Sequence, residues 1–321
     1  MLKAEILENL REITPEEEEI LKGQASIDRN IYMQGKRNIV NSKKLLESGK
    51  LITMRKHTRF INFPEHTHDY VELVYMCEGV TTHIVDGKEI ILKKGELLFL
   101  GQSANHSILR AEKEDIAVNF IILPHFFADT LSDIDDESPL KSFLIDCLCG
   151  NSKGNNYLHY KVSNITEIQN LAENLLLTVI GQAPNKRKQS QMTMELLFMQ
   201  LLANTESLVA ETREDEAVLK ILNYVETNYV SGSLTEIAEE LHYDISWLSR
   251  EILRKTGKTY TKLIQEKRLS QAAFLLKNTN GKISDISNAV GYENISYFHR
   301  KFAESFNMSP REYRLSSRQL N

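Results

Sequence analysis

The chain has 321 residues, a mass of 36.9 kDa and a formal net charge of −5. That length predicts about two domains of roughly 150 residues each. No apolar run reaches the roughly 18 residues that span a bilayer, and the acidic N-terminus lacks the apolar core of a signal peptide. Its cysteines, Cys77, Cys147 and Cys149, supply no disulfide framework and fit a reducing compartment. We therefore expect a cytoplasmic protein with no membrane partner.

Charge is distributed unevenly along the chain. Residues 217–321 contain 15 Lys/Arg and 11 Asp/Glu, a net charge of +4, whereas residues 1–216 contain 24 and 33, a net charge of −9. The acidic total disfavours a nucleic-acid partner only when it is averaged over the whole chain. A basic C-terminal third joined to an acidic remainder suggests a polyanion-binding module, although solvated charged surfaces also give such an asymmetry.

The first 135 residues divide into two segments of different character. Residues 1–50 are predicted to be a helical segment, since Thr14 supplies an N-cap, Pro15 the first helical position and Glu17 a capping-box carboxylate. Residues 51–135 contain short runs of β-formers that alternate with turn signals, of which Asp86-Gly87 favours a type I′ hairpin. Strands this short and close are typical of an antiparallel sandwich or barrel.

Residues 136–212 are predicted to be a helical dimerisation and linker region. Apolar residues recur every three to four positions from Ile165 to Ile180 and from Met192 to Leu202, with a polar break at 181–189. Such helices are expected to cover the β-domain, and they could also pair with a second subunit. The charged stretch 212–216 marks the boundary to a C-terminal domain, residues 213–321.

The C-terminal domain contains an internal repeat. Apolar positions of its first half recur 49 or 50 residues later, and one residue has been added in the intervening turn. The matches at 49 are Leu234, Ile237, Leu241 and Tyr243 with Ile283, Ile286, Val290 and Tyr292. Each copy is predicted to form a helix, a tight turn and a second helix. One amphipathic helix, from Thr259 to Leu276, joins the copies.

Capping residues delimit the second helix of each copy. Asp244 and Asn294 are the predicted N-caps, and Gly257 and Asn307 are the predicted left-handed C-caps. Ser233, with Glu236 three residues later, forms a capping box for the first helix of the first copy.

Two such units on one linker helix could place two recognition helices in successive major grooves of duplex DNA. Arginine donates bidentate hydrogen bonds to guanine, and lysine contacts phosphates. A helical bundle that docks protein remains the alternative. The candidate DNA-binding residues are Ser246, Ser249, Arg250, Arg254, Ser296, Tyr297, His299, Arg300 and Lys301. Lys255, Lys258, Lys267 and Arg311, with Lys301, are the expected phosphate contacts.

From about Leu219 to Tyr313 the sequence resembles the arabinose-type (AraC/XylS) family of transcription regulators. The resemblance rests on Leu234-Thr235-Glu236-Ile237-Ala238, Leu248-Ser249-Arg250, Val290-Gly291-Tyr292, Ser296-Tyr297-Phe298-His299-Arg300-Lys301-Phe302 and Asn307-Met308-Ser309-Pro310-Arg311-Glu312-Tyr313-Arg314. It implies base contacts at Ser246, Ser249 and Arg250 in the first unit. In the second unit it implies them at Ser296, Tyr297 and Arg300. Departures are Asn307, where glycine is usual, and Ile252, where an aromatic residue is usual.

A histidine-rich motif lies in the β-domain. His66, His68 and Glu72 are spaced His-x-His-x3-Glu, and His106 follows Gly95 by eleven positions. This arrangement resembles the two cupin motifs, in which three histidines and one glutamate converge on a divalent cation inside a barrel. The second motif departs from the pattern at Gly101 and Ser103.

Alternating residues on a strand share a face, so these side chains could all point inward. Two interpretations follow, a divalent metal site or a polar ligand pocket that requires no metal. His57, His83, His125 and His159 show no clustering in the sequence and are expected to be ordinary surface or core residues.

The predicted fold class is therefore a multidomain α+β protein. An N-terminal antiparallel cupin-like β-barrel with helical elements precedes an all-α double helix-turn-helix domain. The first functional hypothesis is a dimeric, ligand-responsive transcription regulator that binds double-stranded DNA. The resemblance implies an activator that contacts RNA polymerase. Its N-terminal domain would sense a small molecule such as a carbohydrate. It requires no cofactor.

A second hypothesis is a metal-dependent cupin enzyme, such as an isomerase or dioxygenase, with an appended helical domain. A third is a regulator whose barrel serves only for oligomerisation.

Overall fold

A computed structural model describes residues 4–33, 38–46, 51–126, 139–149, 156–181, 185–210 and 212–319. The chain divides into two compact units, one formed by residues 1–131 and 145–209 and the other by residues 132–144 and 210–321. None of the described helices is long and apolar enough to cross a membrane.

Two five-stranded sheets form the first unit. Its strands are β1 (Ile39–Val40), β2 (Ile52–Lys56), β3 (Phe63–His68), β4 (Val71–Glu78), β5 (Val80–Val85), β6 (Lys88–Lys93), β7 (Leu97–Leu100), β8 (His106–Ile108), β9 (Ile116–Ile122) and β10 (Tyr157–Tyr160). The sheet orders are β1-β3-β8-β5-β6 and β10-β7-β4-β9-β2. Among the described strands no hydrogen-bonded ring closes, so the predicted barrel is a pair of open sheets. The pairings are antiparallel except β1 with β3, which is parallel.

The core of this unit lies between the two sheets. Apolar side chains from both sheets meet there, among them Val74 and Leu98 from one sheet and Val85 and Leu92 from the other. Strands β4 and β9 are central in their sheet and buried along almost their whole length, which explains their nearly continuous apolar sequences.

The hairpin between β5 and β6 confirms the predicted turn. Asp86 and Gly87 have φ values of 49° and 80°, as a type I′ turn requires, and Val85 pairs with Lys88 across it. The turn matches the right-handed twist of the strands, so the register of the hairpin follows from the local sequence.

Helices accompany the sheets. They are α1 (Ala4–Arg11), α2 (Pro15–Leu21), α3 (Arg29–Tyr32), α4 (Ser42–Leu45), α5 (Pro139–Leu148), α6 (Thr166–Ile180) and α7 (Lys186–Ala203). Of α5, only residues 145–148 belong to the first unit. The capping box predicted at Thr14 and Glu17 is present at the start of α2. Helices α6 and α7 pack against each other and against β2.

The two segments predicted to be helical each contribute a strand as well. Strand β1 lies within residues 1–50, and β10, within residues 136–212, pairs with β7. Both strands have four residues or fewer, too short for a periodicity signal to separate them from the adjacent helices. A Cβ on Gly101, which departs from the cupin pattern, would lie 2.8 Å from the carbonyl oxygen of Leu148 in α5, so this close approach requires glycine.

Seven helices form the second unit's described C-terminal part. They are α8 (Arg213–Asn228), α9 (Leu234–Glu240), α10 (Ile245–Thr256), α11 (Tyr260–Asn278), α12 (Ile283–Ala289), α13 (Ile295–Phe306) and α14 (Pro310–Gln319). The pairs α9–α10 and α12–α13 are the two predicted helix-turn-helix copies, and α11 is the predicted linker helix.

The predicted caps are confirmed in both copies. The side chains of Asp244 and Asn294 accept hydrogen bonds from the backbone N–H groups of Trp247 and Tyr297 at 2.8 and 2.9 Å. Gly257 and Asn307 end α10 and α13 in the left-handed region. Both recognition helices therefore start and stop at equivalent residues.

Candidate functional site

Glu72 on β4 is the centre of a buried polar cluster between the sheets. Its Oε2 lies 3.5 Å from Nε2 of His106 and 3.9 Å from Nε2 of His68. Its Oε1 accepts a 2.7 Å hydrogen bond from Nδ2 of Asn119 on β9. Glu72 pairs with Ile121 in the register, so Asn119 is its diagonal neighbour on the same face. Two polar residues on the most apolar strands therefore meet inside the fold.

Backbone carbonyl groups fix the orientation of two histidine rings. Nδ1 of His66 lies 2.8 Å from the carbonyl oxygen of Pro64, and Nδ1 of His68 lies 2.6 Å from that of Tyr70. A neutral ring that donates from Nδ1 keeps a free lone pair on Nε2. Nε2 of His68 and both ring nitrogens of His106 have no hydrogen-bond partner among the described residues. The interior therefore presents unpaired ring nitrogens that suit a metal ion or a hydrogen-bonding ligand.

Burial keeps these imidazoles neutral. It lowers the pKa of His66 to about 3 and that of His68 to about 4, with the neighbouring His106 adding to the effect. Burial pushes the pKa of Glu72 upward, yet the facing His106 and His68 outweigh it, and the pKa lies below its ordinary value. The cluster therefore combines an ionised Glu72 carboxylate with the neutral rings of His66 and His68.

Three predicted residues have geometry suited to a metal ion. One ligand atom each from His68, Glu72 and His106 lies within 4.8 Å of the others. Two imidazoles and a carboxylate match the donors that Zn, Mn, Fe or Ni accept. The fourth predicted residue, His66, is outside this group, although its ring centroid is 4.0 Å from that of His106. Its Nε2 would have to move to complete a four-ligand set.

Two further histidines lie in the same interior, although their spacing in the sequence does not indicate it. His57 and His83 are buried, with ring centroids 5.9 Å apart, and Nδ1 of His57 lies 3.2 Å from Oδ1 of Asn119. Nδ1 of His83 has no partner among the described residues. Burial alternates along β5, so His83 points into the interior on the same face as Thr81. The sequence alone does not reveal which face of β5 is the inner one. His125 is exposed, as expected.

A small cavity adjoins this cluster. Its volume is about 30 Å³, which is room for about one water molecule. His57, His66, Glu72 and Asn119 line it from the sheets, and Tyr32, Val40 and Leu45 line it from the N-terminal segment. An ion fits this space as it is, whereas a larger ligand requires part of the lining to move.

The first recognition helix, α10, buries Leu248 and Ile252 and exposes the opposite face. Ser246, Ser249, Arg250 and Arg254 are exposed, as predicted for residues that reach DNA. Arg254 is engaged by an ion pair with Glu251 one turn earlier. Arg250 is therefore the more available arginine of this helix for a base edge.

The second recognition helix, α13, likewise buries one apolar face and exposes the opposite face. Phe298 and Phe302 are buried, whereas Ser296, Tyr297 and Arg300 are exposed and His299 and Lys301 are half-buried. The Arg300 guanidinium lies 5.2 Å from the centroid of the Tyr297 ring, a cation–π arrangement that holds it at the surface. Nζ of Lys301 pairs with Glu304 at 2.7 Å.

The prediction that Lys267 contacts phosphate is wrong. Its side chain is 4% exposed and its Nζ lies 2.7 Å from Glu226, so the ion pair is internal to the domain. Lys255 is similar, being 13% exposed and 2.5 Å from Asp215. Lys258 pairs with Glu266 at 2.8 Å but stays partly exposed, and Arg311 is exposed.

An aromatic stack at the start of α10 was not predicted from the sequence. The rings of Tyr243 and Trp247 stack with centroids 4.8 Å apart, and Nε of Arg213 donates to the Tyr243 hydroxyl at 2.9 Å. Trp247 lies 50 positions before Tyr297, so the repeat offset could have identified it as an equivalent surface residue.

Comparisons with known proteins match both units. An AraC-like ligand binding domain matches residues 49–202, and a helix-turn-helix domain matches residues 237–316. The HTH-type transcriptional activator RhaS of Enterobacter sp. is 26% identical over 257 residues, which are 78% of this chain and 87% of that protein. RhaS of Mannheimia succiniciproducens is 27% identical over 259 residues, 79% and 90% of the two chains.

Solved structures that match include apo ToxT of Vibrio cholerae, with a TM-score of 0.38 and 16% identity over 84% of this chain and 98% of that one. The C-terminal domain of AraT, a response regulator from Geobacillus stearothermophilus, has a TM-score of 0.31 and 29% identity over 33% of this chain and 88% of that one.

The two family matches together span more than two thirds of the chain. They identify a transcription regulator rather than an enzyme, so the hypothesis of a cupin enzyme is wrong. The chain belongs to the arabinose-type (AraC/XylS) family of transcription regulators, with an N-terminal ligand-binding domain and a C-terminal helix-turn-helix domain that binds DNA.

Proposed function

We propose that this protein is a transcription activator that responds to a small polar molecule and binds DNA as a homodimer in the cytoplasm. The observation that carries the proposal is the equivalence of Arg250 and Arg300. Both are exposed on helices with the same caps, 50 residues apart, at the positions where a recognition helix meets base edges. The RhaS relatives are named transcriptional activators, which supports activation through RNA polymerase.

In this proposal each recognition helix contacts DNA with one face. Arg250 and Arg300 donate to guanine, and Ser246, Ser249, Ser296 and Tyr297 contact neighbouring bases or sugars. Arg254, His299 and Lys301 stand at the edge of that face, where phosphates run.

The effector is a hydroxyl-rich molecule, such as a sugar, held between the sheets. Its hydroxyl groups would donate to Glu72 and accept from or donate to the orphaned nitrogens of His68, His83 and His106. Since the cavity near Glu72 has room for only about one water molecule, binding would displace lining residues such as Tyr32 and Val40. The ligand alters DNA affinity only by its differential affinity for the two resulting states.

A second candidate for the same interior is a divalent cation, favoured by the close ligand atoms of His68, Glu72 and His106. The ion would supply a Lewis-acidic anchor for an effector oxygen, and His66 would adjoin it. Metal analysis of the purified full-length protein tests this candidate. A stoichiometric ion that is lost in Glu72→Gln supports it, and absence of an ion after dialysis against each metal contradicts it.

Helix α7 supports pairing with a second copy of the chain. Met192, Leu196 and Met199 are 55%, 45% and 43% exposed and follow one another at spacings of four and three. This is the a/d spacing of a two-helix seam, which is self-complementary about a twofold axis.

The proposal as a whole is tested with the full-length protein and a pool of random duplexes. After repeated selection, the bound duplexes should converge on a pair of short motifs about one helical turn, roughly 34 Å, apart, with one such pair for each chain of the dimer. Binding should weaken as salt rises, and a thermal-shift screen should find a stabilising sugar. No salt-sensitive binding at low ionic strength would contradict the proposal.

A further inference from the structure

The guanidinium of Arg268, on the linker helix α11, joins the segment after α8 to the turn of the second helix-turn-helix unit. Its Nε donates to the carbonyl oxygen of Tyr229 at 2.6 Å, and its Nη2 donates to that of Val230 at 2.7 Å. Its Nη1 donates to the carbonyl oxygen of Gly291 at 2.8 Å. Tyr229 and Val230 directly follow α8, and α8 packs on recognition helix α10. Gly291 lies in the turn that precedes recognition helix α13.

These acceptors suit an arginine. The last carbonyl groups of a helix have no partner within the helix, and the negative end of the helix dipole favours a cation there. A guanidinium donates in a rigid planar fork, so three simultaneous bonds fix the relative positions of the three carbonyl groups. A lysine could neutralise the same charge without imposing that geometry.

The repeat itself shows that this contact belongs to the second turn alone. The equivalent of Gly291 in the first turn is His242, and both have positive φ, at 89° and 56°. The first turn thus tolerates a side chain in this conformation. A Cβ on Gly291 would lie 2.5 Å from the Val230 carbonyl oxygen and 2.9 Å from Cζ of Arg268. Glycine is required in the second turn because the end of α8 and Arg268 approach it closely.

The neighbouring residue holds the linker helix in place against α8. Lys267 forms a buried ion pair with Glu226 at 2.7 Å, one turn before the end of α8. The centroid of the Tyr229 ring is 6.0 Å from Nζ of Lys267. With α11 anchored at Lys267, movement of the second turn relative to α8 requires the Arg268 bonds to break.

We propose that Arg268 is a positioning residue that sets the distance and angle between the two recognition helices. It thereby selects the number of base pairs between the two motifs of the operator. This inference rests on the proposed binding of DNA by both helices. Arg268 itself touches no base in this mechanism, because each of its three guanidinium nitrogens donates to a backbone carbonyl group.

The test uses full-length protein and the duplex selected by the wild type. Three forms of that duplex are compared, one intact, one with a base pair inserted between the motifs, and one with a single motif scrambled. Two linked modules lose their joint affinity when their geometry no longer matches the spacing, so insertion should weaken wild-type binding about tenfold or more. Arg268→Gln should bind the intact duplex about tenfold more weakly and show an insertion penalty below about threefold. Binding to the single-motif duplex should match the wild type.

Two further variants complete the test. Arg314→Gln is the matched control, since Arg314 donates one bond to a backbone carbonyl, that of Gly281 at 2.7 Å, in the same unit. It should keep the wild-type insertion penalty. Arg268→Lys keeps the charge but lacks the planar fork, and it should show the reduced insertion penalty even if Arg268→Gln fails to fold.

An unchanged insertion penalty in the Arg268 variants that fold would overturn the inference while leaving the proposed function intact. A parallel loss on the single-motif duplex would also overturn it, because that loss reports general damage. If wild-type binding is itself indifferent to insertion, the use of both recognition helices is refuted, and the role of Arg268 falls with it.

Discussion

Glu17 of α2 and Arg59, which follows β2, form a buried ion pair with 2.7 Å between Oε1 and Nε. Their side chains are 1% and 3% exposed. Glu17 also accepts from the backbone N–H of Thr14 at 2.9 Å, and Nη1 of Arg59 donates to the carbonyl oxygen of Lys113 at 2.9 Å. One carboxylate therefore both caps α2 and attaches that helix to the β-domain.

Replacing Glu17 by Gln should destabilise the first unit by about 3–5 kcal/mol, because the Arg59 charge would remain buried without its partner. Urea unfolding of the full-length protein, followed by far-UV circular dichroism, measures the change. Glu17→Gln combined with Arg59→Met should recover much of the loss. Glu19→Gln, which breaks the exposed pair with Lys22, is the control and should leave the midpoint unchanged. Equal effects of Glu17→Gln and Glu19→Gln would contradict this account.

The same pair should contribute a pH dependence to stability. Burial raises the pKa of Glu17, but the hydrogen bonds from Arg59 and Thr14 outweigh it, and the pKa lies below the ordinary value of 4.5. The stabilisation is fully present above that value and disappears as pH falls through the lower pKa of the folded state. The difference in unfolding free energy between wild type and Glu17→Gln should therefore be constant from pH 7 to 5 and shrink in more acidic buffer. A difference that grows on acidification would refute it.

Local features of this fold could be predicted from the sequence, whereas features that depend on distant packing could not. The caps at Asp244 and Asn294 and the turn at Asp86-Gly87 involve residues within four positions of each other, so their chemistry is visible in the sequence. The fate of Lys267 depends on Glu226, 41 positions earlier, and an amphipathic pattern does not reveal that partner. His57 enters the buried cluster only because β2 pairs with β9.

Arg250→Ala and Arg300→Ala should each weaken binding to the selected duplex by about 1–3 kcal/mol, if each arginine contacts a guanine. Competition against random duplex measures this loss separately from non-specific binding. Lys220→Ala is the control, since that lysine is exposed on α8 and paired with Glu216 at 2.6 Å. An equal loss on random duplex would assign the arginines to phosphates instead.

Glu72→Gln should abolish the response to effector while DNA binding remains. The substitution keeps the shape of the side chain but removes the buried charge that faces His68 and His106. A reporter gene fused to the selected operator and assayed with and without effector provides the readout. His125→Ala, which alters an exposed histidine, should respond as the wild type does. A normal response in Glu72→Gln would place the effector elsewhere.

Met192→Glu combined with Leu196→Glu should convert the dimer to a monomer, because charges in the centre of an apolar seam repel across the twofold axis. Sedimentation velocity measures the mass, 36.9 kDa for one chain. Ile91→Glu introduces the same change at a residue of β6 that is 46% exposed, and should leave the dimer intact. A wild-type protein that sediments as one chain at high concentration would refute the seam.

The inward engagement of the basic side chains has a consequence for how DNA binding by this protein depends on salt. Lys267 and Arg268 are committed to Glu226 and to backbone carbonyls, and Lys255 is committed to Asp215. Each lysine or arginine that neutralises a phosphate releases one condensed counterion, and the slope of log affinity against log salt is about −0.9 per contact. These three side chains release no counterions, so the salt dependence of binding should be set by the exposed cations, such as Arg250, Arg300 and Arg311.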